Sequence, residues 1–134
     1  MEDKLEWPNR PYTLDEFKHL PLSEMLSNMP IVAYNGMEIR SSMPRLFLND
    51  GVSLSVQAGE HLYCSPRCNK GPYTQVEIGF PSEPLPELFM PYCEEPDNPT
   101  ETVYAYVPLE LVLFYIGSHG GIDAERSFAT FKFH

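Results

Sequence analysis

The chain has 134 residues, 43% hydrophobic and 13% aromatic, with 19 acids against 9 bases and a formal charge of −10. That length suits a single domain, 1–134, whose core needs neither metal nor disulfide, and the apolar content excludes intrinsic disorder. The charge excludes a direct grip on nucleic acid, which needs clustered Lys and Arg, and no apolar run reaches the roughly 18 residues of a membrane span.

The N-terminal stretch MEDKLEWPNRPY is charged and lacks an apolar h-region, so a secretory leader is not expected. Three cysteines leave at least one unpaired, which fits reduced thiols in a cytoplasmic protein.

Thr13-Leu-Asp-Glu16 has the form of a capping box and predicts a helix over 14–20. Pro21 interrupts it, and Leu22 to Met29 add a further turn or two before Pro30, within an N-terminal helical segment 12–29. Two hairpins follow. Ile31 to Tyr34 and Met37 to Ser41 join at Asn35-Gly36; Arg45 to Asn49 and Val52 to Ala58 join at Asp50-Gly51. Both dipeptides supply the positive φ of a two-residue hairpin turn. Val52, Leu54, Val56 and Ala58 alternate with Ser53, Ser55 and Gln57, the period of a half-buried strand.

A polar loop holds His61, Tyr63, Cys64, Arg67, Cys68 and Lys70 before a strand over Tyr73 to Phe80. Six prolines (Pro81, Pro84, Pro86, Pro91, Pro96 and Pro99) then mark 81–99 as an excursion over the surface. Its Leu85, Leu88, Phe89, Met90 and Tyr92 need cover from the body or from a partner. Thr100 to Val107 reads as a strand. Pro108 opens a helix through Ile116 that is apolar nearly all round and is expected to lie on the sheet, ended by Gly117, Gly120 and Gly121. Ser118-His119-Gly120-Gly121 reads as its C-cap. The alternation in Phe128 to Phe133 predicts a last strand. The fold class is α+β: a mostly antiparallel sheet of hairpins, an N-terminal helix, and one apolar helix at about 108–117 packed on the sheet.

The polar loop permits three chemistries. His61, Cys64, Cys68 and Cys93 are a possible zinc set, thiolate and imidazole being what zinc prefers. Cys64 near His61, Arg67 and Lys70 is a possible nucleophile, because positive neighbours lower a thiol pKa. Tyr63, Arg67, Lys70 and Tyr73 combine aromatic faces with cationic donors and suit a nucleotide-like ligand. The plainer alternative is a tight turn held by Pro66 and Asn69, with Cys64 buried and Arg67 paired to an acid. No cofactor is implied by any complete motif.

Elsewhere, Glu94, Glu95, Asp97 and Glu101 form a local acidic cluster suited to a basic groove on a partner. Tyr104 and Tyr106 fall on one strand face opposite Val103, Ala105 and Val107, an expected exposed aromatic stripe of the kind enriched at interfaces.

The segments GVSLSVQAGEHLYCSPR, GPYTQVEIGFPSEP and NPTETVYAYVPLELV resemble a group of small uncharacterised bacteriophage- and prophage-encoded proteins, over about residues 50–122. Tyr63-Cys64-Ser65-Pro66-Arg67 is the shared core of that pattern, and Cys68 and Cys93 fall outside it. The resemblance implies a context of stoichiometric binding to a host protein or host signal molecule. The leading expectation is therefore a non-enzymatic interaction protein, a phage-encoded inhibitor of a host defence or regulatory protein in the host cytoplasm. The alternatives are a protein that sequesters a nucleotide-like signal through the 61–73 loop and a Cys-dependent hydrolase or transferase. The aromatic strands and Phe-rich tail also permit a homodimer.

Overall fold

The computed structural model describes residues 12–130. Helix α1 (Leu14–His19) begins at the predicted capping box. Glu16 N–H donates to Thr13 Oγ1 at 3.1 Å and Thr13 N–H to Glu16 Oε1 at 2.9 Å. Helix α2 (Leu22–Ser27) follows Pro21 and stops two residues short of the expected end, with Asn28 as its C-cap. Phe17, Leu22, Met25 and Leu26 are the buried side of this helical pair.

Strands β1 (Ile31–Tyr34) and β2 (Met37–Arg40) make a two-stranded ribbon of their own. Asn35 and Gly36 have φ of 52° and 78°, the left-handed pair that this turn requires. Strands β3 (Leu46–Phe47), β4 (Ser53–Gln57), β5 (Gln75–Gly79) and β6 (Val103–Pro108) form the main antiparallel sheet in chain order. The β3–β4 connection departs from a two-residue turn. Leu48 pairs with Val52, and Gly51 N–H closes onto Leu48 C=O at 2.9 Å, leaving three residues in the loop with Gly51 at φ +98°.

Helix α3 (Leu109–Ser118) lies on this sheet within a residue of its expected bounds. Val112, Tyr115 and Ile116 are its buried side, over a sheet face of Leu54, Val56, Val76, Ile78, Tyr104 and Val107, none more than 0% exposed. The helix is not covered all round. Leu113 is 42% and Phe114 73% exposed.

The proline-rich excursion folds back onto the body through a 3-10 helix, Glu87–Tyr92. Leu85 and Phe89 are buried, and Phe89 meets Tyr115 edge-on at 5.6 Å between ring centroids. Leu88, on the other side of that short helix, stays 65% exposed.

Two expectations are corrected. The run from Phe128 is not the start of a strand: Ala124–Phe128 is helix α4, started by Asp123, whose carboxylate accepts from Arg126 N–H at 3.1 Å. Asp123 starts the helix upstream of the expected strand, so Phe128 is already helical when it packs on Phe17 at 6.1 Å. Residues 131–133 of the expected strand lie outside the described residues. The Tyr104–Tyr106 stripe is also broken. Across the β5–β6 ladder Val76 faces Val107 while Ile78 faces Tyr104, so β6 carries one residue more than β5. Tyr106 absorbs it at φ +55°. Tyr104 turns fully inward, and Tyr106 is left 37% exposed by itself.

Candidate protein-docking face and the polar loop

The polar loop is built around hydrogen-bonded backbone and one half-buried cation. Arg40, at the end of β2, donates through Nε to Asn69 C=O at 3.2 Å and through its guanidinium to Leu26 C=O. Its charge lies 5.6 Å from the Tyr73 ring centroid, and burial lowers its pKa. Tyr73 is 5% exposed and donates its hydroxyl to Cys68 C=O at 2.8 Å. Gly71 is pressed against α2, where a Cβ would stand 2.9 Å from Ser27 Cα. Of the expected ligand-binding four, Tyr73 is thus internal. Tyr63 and Arg67 stay together on the surface, Arg67 Cζ standing 5.8 Å from the Tyr63 centroid, and Lys70 is exposed.

The expected zinc set is not assembled. His61 is exposed beside Glu60 at 3.0 Å, and the Cys68 thiol donates to Lys70 C=O at 3.0 Å. Cys93 bridges Tyr104 next to the 3-10 helix. Among the described residues, no three His, Cys, Asp or Glu side chains gather as metal ligands.

The expectation of a lowered Cys64 pKa is reversed. Cys64 is 0% exposed, with its thiol donating to Gly59 C=O at 3.2 Å and accepting from Gly59 N–H at 3.3 Å. Burial pushes the thiol pKa up and outweighs the downward pull of Gly59 N–H, Arg40 and Arg67. An aromatic disulfide reagent added to the native protein at neutral pH is expected to label exposed Cys68 first. Cys64 should react only at the rate of opening, at least about 100-fold more slowly. Equal labelling rates, read by peptide mass mapping, would contradict its burial.

A feature that escaped the sequence reading lies at the C-terminus of α3. His119 caps the helix, and its Nδ1 stands 2.5 Å from Asp50 Oδ2 in the β3–β4 loop. That bond, with Val52 N–H, holds the Asp50 carboxyl below its ordinary pKa. The His119 ring lies 4.3 Å from the Tyr115 ring. Burial pushes the Tyr115 phenol up to about 12, and its hydroxyl finds no hydrogen-bond partner among the described residues. The pair ties the β3–β4 loop to the end of α3. Its chemistry is that of a brace.

No family model, curated protein or solved structure matches the chain.

The charge is segregated. From Gly71 to Glu125 the chain has ten acids and no lysine or arginine, whereas the rest has nine acids and nine bases. The entire formal charge of −10 therefore belongs to the segment that builds β5, the 3-10 helix, β6 and α3. Within it a groove of about 340 Å³ opens between the 3-10 helix and α3, lined by Leu88, Tyr92, Pro108, Glu110, Leu111 and Phe114. Glu87 is exposed next to Leu88.

The acidic cluster begins two residues beyond Tyr92. Glu94, Glu95, Asp97 and Glu101 are all exposed, and none makes an ion pair among the described residues. Their loop is nonetheless fixed. Glu94 N–H donates to Val103 C=O at 3.0 Å, Asn98 N–H to Glu95 C=O at 2.8 Å, and Glu101 N–H to Asn98 C=O at 3.0 Å. Tyr104 secures it from below, its hydroxyl donating to Pro99 C=O at 2.7 Å. Of the two tyrosines expected to touch a partner, Tyr104 is this internal anchor, and Tyr106 lies beside Tyr63 instead.

Proposed function

We propose that the protein is a non-enzymatic inhibitor that binds one target protein stoichiometrically. The target is a host defence or regulatory protein in the cytoplasm of a phage-infected cell. The carrying observation is the coincidence of an apolar groove, rimmed by exposed Leu88 and Phe114, with the Lys- and Arg-free segment 71–125. An apolar groove set in negative charge selects a basic amphipathic segment. Apolar side chains of one helix face enter the groove, and flanking lysines and arginines meet Glu87, Glu110 and the 94–101 loop. The acids speed encounter and set register, and the apolar contact holds the complex. Burial of the Cys64 thiol counts against the Cys-dependent hydrolase or transferase.

The test is co-purification from the expressing cell, comparing wild type with E94K/E95K/D97K. The wild type should retain its partner at low salt and release it progressively as salt shortens the Debye length from about 10 Å toward 3 Å. The triple reversal should retain several-fold less at low salt. E24K, outside the Lys- and Arg-free segment, serves as a control that should behave as wild type. Unchanged retention by the triple reversal at low salt would remove the role of the acidic loop.

A further inference from the structure

We propose that Tyr63, Tyr106 and Arg67 form a second site, distinct from the acidic groove, for a small planar anion of the nucleoside phosphate class. Tyr63 is 42% and Tyr106 37% exposed, with ring centroids 5.9 Å apart and planes at 38°. Arg67 approaches the Tyr63 ring and makes no ion pair among the described residues, although the chain carries 19 acids for 9 bases. Lys70, three residues on, is exposed and equally without an ion pair among the described residues. In a protein so acidic, an arginine set beside a tyrosine ring rather than paired with a carboxylate keeps its donors available for an external anion.

The platform is held in place before any ligand arrives. Tyr63 N–H donates to Glu77 Oε1 at 2.9 Å, and Tyr106 N–H donates to Tyr63 C=O at 3.0 Å. Tyr106 keeps a left-handed φ of +55° that a residue with a Cβ adopts reluctantly, and this is the conformation that leaves its ring outside the sheet beside Tyr63. The groups present match the ligand part by part. Tyrosine faces stack a nucleobase, and the guanidinium fork takes a phosphate. Glu77 adds a negative charge nearby, and the net charge of −10 repels a polymer of phosphates, so a mononucleotide or dinucleotide fits where a nucleic acid strand does not.

The experiment is a thermal-shift titration of the whole protein against the four ribonucleoside monophosphates and a cyclic dinucleotide, with guanosine and inorganic phosphate as separate arms. At least one nucleotide should raise Tm progressively with concentration. Guanosine and phosphate alone should do so at least about tenfold more weakly, because each engages half of the site. Two variants keep the test independent of folding. R67Q changes an exposed side chain, and Y106G removes the ring while relieving the left-handed φ. Both should melt as high as wild type without ligand and lose the nucleotide response. A flat response across the panel, a phosphate response equal to that of the nucleotides, or an undiminished response in both variants would each overturn the site.

Discussion

Tyr104→Ala is expected to lower the unfolding free energy by about 3–5 kcal/mol, the range for deleting a buried aromatic. A domain of this size has roughly 5–15 kcal/mol in total, so the variant should be only marginally folded at 37 °C. Three facts concentrate the effect at this residue. Its side chain is 0% exposed among Val56, Ile78 and Val107, in a core that includes α3. Burial pushes its phenol up to about 12, with Cys93 adding to the shift. Its hydroxyl holds Pro99, and through it the acidic loop, to the sheet. Tyr104→Phe separates these roles. Losing the hydroxyl should cost about 1 kcal/mol globally while the amides of 94–101 exchange faster. Urea denaturation and hydrogen exchange read the two effects. A Tyr104→Ala variant within 1 kcal/mol of wild type would contradict the bulge that turns this side chain inward.

Phe114→Asp is expected to do the opposite: nothing to the fold and a great deal to binding. At 73% exposed, Phe114 contributes little packing, and surface substitutions of this kind stay within about 0.5 kcal/mol. In the proposed complex it is the aromatic anchor of the groove. Anchors of that type cost about 2 kcal/mol or more when removed, which is roughly 30-fold in affinity. A carboxylate facing the partner's apolar side chains adds a desolvation penalty. Denaturation should place the variant with wild type, while quantitative co-purification should show most of the partner lost. If Phe114→Asp unfolds the protein, the side chain belongs to the core and the groove is not an open docking surface.

What could be read from the sequence was local. Asn35-Gly36 and Thr13 with Glu16 encode their structures within four residues, and the geometry follows them. Helix α3 was legible because Pro108 caps its start and Gly120 and Gly121 follow its end, although Gly117, an expected stop, lies inside it. The bulge at Tyr106 was not, because no local signal marks a tyrosine that takes φ +55° to reconcile two strand registers. Helix α4 was missed because its cap, Asp123, lies five residues before Phe128, where the strand was expected to begin.

The site divides in the same way. Tyr63 and Arg67 are four residues apart and do share a surface, whereas Tyr73 is drawn inward by Arg40, thirty-three residues earlier in the chain. The Asp50–His119 brace spans 69 residues and has no sequence signature. Of the charge pattern only the cluster Glu94, Glu95, Asp97 and Glu101 was read, and the wider absence of Lys and Arg from 71 to 125 was missed. That absence gains meaning from the groove it surrounds, which exists only once the proline-rich excursion has folded onto α3.

The most direct test of the inhibitor account is native mass spectrometry of the protein purified from the cell that expresses it, wild type beside Phe114→Asp. The account predicts a discrete one-to-one complex with a second polypeptide for the wild type and a bare monomer for the variant. A wild-type protein that flies as a monomer, or a complex that Phe114→Asp leaves intact, would contradict it.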